Sequence, residues 1–169
     1  MFSIISNNVS SNDLNEAVEN VRSTRPFELV RTASYTNIKL EPGYQGSNVI
    51  LNSYFFSDIE FDGFPPIPGI IVQPGDRILL FGQTNKVENG LWSVVSKISG
   101  YVNIQRVTEY AQNTPIKSGQ FIIIIEGLRL RGAIIKNETP QFDSNKNRII
   151  SYNGISEQIW KLYGYINPF

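Results

Sequence analysis

The stretch Val72–Val94, VQPGDRILLFGQTNKVENGLWSV, decides the fold class. Pro74 presets φ for the second residue of a turn and Gly75 takes the positive φ of the third, so Pro74-Gly75-Asp76 reads as a turn. Arg77 to Phe81 follows as a short apolar strand, with Gln83 and Thr84 at its polar end. Asn89-Gly90 then fits a type I′ hairpin, whose second arm runs from Leu91 to Ile98. The unit is turn, strand, hairpin, strand, and it is β throughout.

Working outward, the same kind of run recurs at Leu29–Leu40, Val49–Phe56, Ile70–Val72, Tyr101–Thr108, Gln120–Glu126, Leu128–Ile135, Arg148–Tyr152 and Gln158–Ile166. Pro42-Gly43, Ser99-Gly100 and Asn153-Gly154 are further turn markers. Short strands at this spacing predict an all-β domain over residues 27–169, an antiparallel β-sandwich or partly open barrel of about 8–10 strands. Phe61–Gly69, FDGFPPIPG, is too rich in proline for a central strand and reads as a surface loop. Phe121 to Ile125 shows no alternation, so both its faces must be covered, as in a central strand.

Residues 1–26 read differently. In SNDLNEAVENVRST, residues 11–24, Leu14, Ala17, Val18 and Val21 share one stripe at spacings of three and four, and Ser11 or Asn12 can cap the start. A short amphipathic helix is expected on an N-terminal arm, docking on its own domain or on a neighbouring subunit.

Composition narrows the chemistry. The chain has neither His nor Cys, which excludes Ser-His-Asp, Cys-His and HExxH catalysis, zinc knuckles and disulfides. We expect no enzyme and no cofactor. Lys+Arg number 15 and Asp+Glu 15, so no field gathers nucleic acid, and binding to it is not expected. A charged fraction of only 18% suits a subunit of an assembly better than a free monomer. No apolar run is long enough for a membrane span, and the N-terminus does not read as a signal peptide.

Four groups could still carry chemistry. Asp58, Glu60 and Asp62 stand at spacing two and would share a strand face, suiting glycoside hydrolysis or calcium binding, although a solvated loop is the simpler reading. Asp143–Asn147, DSNKN, begins like a calcium loop but lacks its Gly and its bidentate Glu. Arg129 and Arg131 would share a strand face and could meet a partner's carboxylates, or Glu126 and Glu138. Trp160, Tyr163 and Tyr165 could stack on sugar, with a packed Trp160 as the simpler alternative.

Val72–Val94 resembles a module recurrent in bacteriophage tail-fibre, tail and other virion proteins, with the hallmark V-x-x-G-D-R-V-L-V-x-x-Q-T-x-x-x-x-N-G-I-Y-x-V. Gly75, Asp76, Arg77, Gln83, Thr84, Asn89 and Gly90 match it, with Leu91 and Trp92 closing the hairpin. RTASYTNIKL (Arg31–Leu40) is similar to the family's upstream strand, and Arg106, Gly119 and Gly127 fall in register downstream. The likeness covers roughly residues 28–135. It departs at Phe81-Gly82 and in the long insert Gly43–Gly69. The motif residues Gly75, Asp76, Arg77, Gln83, Asn89, Gly90, Trp92 and Arg106 are explicable as turn, ion-pair and hairpin residues, hence as a folding signature. The resemblance implies a non-enzymatic virion structural protein, a minor capsid, vertex, tail or fibre subunit. Its partners would be other virion proteins and copies of itself, and its location the virion, after synthesis in the host cytoplasm. The alternative is a receptor- or glycan-binding module of a fibre or spike.

Overall fold

The computed structural model describes residues 27–45 and 49–166. The helix expected over residues 11–24, with Leu14, Ala17, Val18 and Val21, lies outside them. The described chain is β-rich. Its strands are β1 (Glu28–Val30), β2 (Thr32–Ser34), β3 (Glu41–Gln45), β4 (Val49–Phe56), β5 (Arg77–Leu80), β6 (Gly90–Ile98), β7 (Tyr101–Arg106), β8 (Phe121–Ile124), β9 (Ala133–Asn137) and β10 (Trp160–Tyr165). They form a four-stranded sheet, β1-β8-β9-β10, and a six-stranded sheet, β2-β5-β6-β7-β4-β3. One of the two curls as a half-barrel.

Both sheets are mixed, which corrects the expectation of purely antiparallel pairing. β1 runs parallel to β8, and β2 parallel to β5. The cause is one extended segment, Glu28–Ser34, that changes sheets at Arg31. The Arg31 guanidinium holds Asp76, just before β5, at 2.6 Å and Glu126, just after β8, at 3.1 Å. Arg77 on β5 adds an ion pair to Glu28 on β1 at 2.9 Å. Bonding to Asp76 and Glu126 raises the Arg31 pKa above its ordinary value, Asp76 being the larger cause.

Several expected elements are redrawn. The run Leu29–Leu40 ends as a strand at Ser34, whose hydroxyl bonds the Thr36 backbone and bends the chain. Pro42-Gly43 is not a turn: it lies within β3, opposite Ser53 and Asn52, with a bulge after Gly43. β3 is an edge strand, where a proline's missing N–H does no harm. Phe61–Gly69 folds as a small hairpin with Phe61 paired to Ile70 and Phe64 to Ile67, and Phe61 is buried. Ile70–Val72 thus contributes one bridge and no strand. Leu128–Gly132 turns around Asp62, so β9 begins only at Ala133. Arg148–Tyr152 is loop, held at Phe142–Arg148 and Pro115–Tyr152.

The core has three layers, set by strand alternation. Leu79, Leu91, Ile122, Ile124, Ile135 and Trp160 meet between the two sheets. Ile78, Leu80, Trp92, Val94, Val102 and Ile104 face the other way, under Ile38, Phe55, Phe61 and Val72. On the outer side of the smaller sheet, Phe121, Ile123 and Ile134 pack with Phe27, Tyr163 and Ile166. β8 is therefore an inner strand buried on both faces, as an unbroken apolar run requires, but it is shorter than the expected Gln120–Glu126, and Ile125, the last residue of the run, lies beyond it and is half exposed.

Candidate functional site

Of the motif residues, Gln83, Asn89, Gly90, Trp92 and Arg106 converge where the β5–β6 connection meets the segments around residues 38 and 158, while Gly75, Asp76 and Arg77 lie at the turn before β5. This connection is not the expected two-residue hairpin. A 3-10 turn, Lys86–Glu88, precedes Asn89, which is extended at φ −62° and ψ 153°, while Gly90 alone takes positive φ, +129°. A type I′ turn needs both residues at positive φ; the pair that meets this is Ser99-Gly100, φ 52° and 84°, between β6 and β7.

Asn89 is freed from turning and braces the fold instead. Its Oδ1 accepts the Gln83 N–H at 3.0 Å, and its Nδ2 donates to the Gln158 carbonyl at 3.0 Å. Buried Gln83 clamps both backbone groups of Ile38, at 2.8 and 2.7 Å, and donates to Glu88 Oε2 at 2.8 Å. Gln158, also buried, donates to Asn153 Oδ1 at 2.7 Å and accepts the Trp160 indole N–H at 3.0 Å. Asn153 passes the network to Thr114. The sequence marked Gln83, Asn89 and the Asn153-Gly154 turn, but gave no sign of Gln158: a lone glutamine before a strand has no spacing signature.

Arg106 enters this network from the end of β7. Its Nη1 donates to the Asn89 carbonyl at 2.7 Å and its Nη2 to that of Val87 at 2.6 Å. The guanidinium lies 4.3 Å from the Trp92 ring centroid, and the Trp92 indole N–H donates to the Glu88 carbonyl at 3.0 Å. Nε is buried without a partner among the described residues. Burial lowers the Arg106 pKa to about 10, partly offset by the Glu88 charge. A cavity of about 260 Å³ opens beside these groups, walled by Ser53, Asn85, Glu88, Trp92, Arg106 and Gln112 with neighbouring apolar atoms.

Gly75 takes φ +93° in the expected turn, closed by the Asp76 N–H to the Gln73 carbonyl at 3.0 Å. Asp76 Oδ2 accepts both the Gln73 N–H and Arg31. The carboxylate triad is dispersed, because the chain turns after Phe56 and leaves the strand. Asp58 is exposed, Glu60 accepts the Gly69 N–H at 3.0 Å, and Asp62, buried at φ 51°, accepts the N–H groups of Arg129 and Leu130. Asp143 spends one carboxylate oxygen on the N–H groups of Asn145 and Asn147. Among the described residues no group of three or more His, Cys, Asp or Glu is placed to hold a metal ion.

Arg129 and Arg131 are exposed on the turn before β9 and share no strand face; Arg129 stands over Phe64 at 5.2 Å. The aromatic trio does not form a platform. Trp160 is core, Tyr163 meets Phe121 edge-on at 5.2 Å, and only Tyr165 is open to solvent. The Trp160 indole and the Tyr163 ring are engaged in packing, and among the described residues the Tyr165 ring stands alone at the surface. Among the described residues no helix is long and apolar enough to cross a membrane. Comparison with protein-family models, with curated proteins and with solved structures finds nothing that matches this chain.

Proposed function

We propose that this chain is a virion structural subunit that works by protein–protein contact, chiefly with copies of itself. The observation that carries the reading is an exposed apolar row on the six-stranded sheet. Phe56, Tyr101 and Ile98 lie directly opposite one another across β4, β7 and β6, hence on one face. They are 49%, 38% and 67% exposed, and the Phe56 and Tyr101 rings stack at 5.0 Å. The smaller sheet packs over the β2-β5-β6 side and leaves this part of the larger one open. Contiguous apolar surface of this kind is the usual mark of an interaction site.

The phage-like motif supports the same reading. Asp76, Arg77, Gln83, Asn89 and Arg106 are bound to the chain's own backbone and ion-pair partners, so the hallmark maintains a fold that an assembly repeats. Zero net charge removes mutual repulsion between copies. Sedimentation velocity and negative-stain microscopy of the purified chain test the proposal. Concentration-dependent oligomers are the expected result. A monomer at every concentration, together with absence of the chain from purified particles, would refute it.

A further inference from the structure

We propose that the cavity beside Arg106 binds a small hydroxylated monocarboxylate, of the size and chemistry of a uronic acid. The site is separate from the apolar row and does not depend on it. Arg106 is a buried cation with no carboxylate within ion-pairing distance among the described residues. Among the described residues its hydrogen bonds go to two neutral carbonyls, and its buried Nε–H has no partner. A guanidinium has five N–H donors in a planar fork that matches a carboxylate. Burying one without an adjacent anion is costly, and here the two carbonyls, the Trp92 face and the more distant Glu88 charge offset that cost in part, which leaves room for an anion to add to them. Burial lowers the Arg106 pKa, and the Glu88 charge offsets that only in part.

The cavity walls select among anions. Its volume, about 260 Å³, suits a single ring or a short hydroxy acid. Ser53, Asn85 and Gln112 offer neutral hydrogen-bonding groups, and Gln112 Nε2 already donates to the Gly154 carbonyl at 3.1 Å, leaving its Oε1 without a partner among the described residues. Glu88 gives one oxygen to Gln83 and lines the cavity as an acceptor for hydroxyl protons. Its charge also opposes a phosphate dianion more than a monocarboxylate, so the pair Arg106 and Glu88 favours a ligand with one negative charge and several hydroxyls. The Trp92 ring, with Arg106 over it, supplies an apolar wall.

The test is a heteronuclear NMR titration of the full chain with glucuronate, glucose and acetate. Glucuronate should shift the Trp92 indole and the amides of residues 85–89 with millimolar affinity, and glucose and acetate should each bind at least about tenfold more weakly. Glu88→Gln should tighten glucuronate several-fold by removing the opposing charge, and Gln112→Leu should weaken it while leaving Arg106 in place. Arg106→Gln should abolish it, with circular dichroism checking the fold. No shift at millimolar glucuronate, an equal response to glucose or acetate, or a Glu88→Gln variant that binds no tighter would overturn the proposal.

Discussion

At Gly90 the backbone sits at φ +129°, and a Cβ placed there would lie 2.4 Å from Arg106 Nη1. Gly75 has a similar φ, +93°, with nothing within 4 Å. Gly75→Ala should therefore cost about 1 kcal/mol, and Gly90→Ala about 2 kcal/mol more because Arg106 must move; urea midpoints measure both. Gln158→Leu should cost about 2–4 kcal/mol, since it strands the Trp160 indole and Asn153 Oδ1 in the core, and the same assay reads it. Tyr110 gives a pH signature. Burial pushes its pKa up to about 12 from 10.0, so the folded state keeps a proton that the unfolded chain releases. That stability is full below pH 10 and is lost as pH rises through about 12. Arg106 acts oppositely, because its lowered pKa makes folding less costly as pH rises above about 10. Tyr110→Phe should thus lose a nearly constant amount at neutral pH, from its bond with Gln120, and gain on the wild type as the solution becomes alkaline. Denaturation across that range checks the sign.

Elements were legible where local pattern and burial agree. Val49–Phe56, Arg77–Leu80 and β8 follow from apolar runs between turn residues, and the covered faces of β8 follow from its lack of alternation. What misled was context. Pro42-Gly43 reads as a turn locally and becomes strand because an edge position tolerates it. Leu128–Ile135 reads as a strand from Leu128, and its first part turns because Asp62, far away in sequence, captures its amides. The cover on β8 can be checked directly. Ile123 is 7% exposed against Phe27, Tyr163 and Ile166, whereas Ile125 is 49% exposed. Ile123→Lys should cost about 3 kcal/mol or more and Ile125→Lys less than about 0.5 kcal/mol, in thermal or urea unfolding.

For the whole molecule, the prediction concerns assembly. A contact built on Phe56, Tyr101 and Ile98 is apolar, and the chain has no net charge, so self-association should hold or strengthen at high salt. Ile98→Glu should shift the sedimenting species towards monomer by about tenfold in dissociation constant without changing the unfolding midpoint, because Ile98 is 67% exposed. The sequence by itself determined the β class, the turn at Pro74-Gly75, the inner position of β8 and the absence of imidazole and thiol chemistry, because these depend on residue type and short-range periodicity. Only the tertiary structure decided the parallel pairings at the Arg31 switch, the Gln83–Asn89–Gln158 network, the open apolar row and the cavity at Arg106. Each joins residues distant in the chain, and the hydrogen bonds and burial that create them exist only after the two sheets have packed.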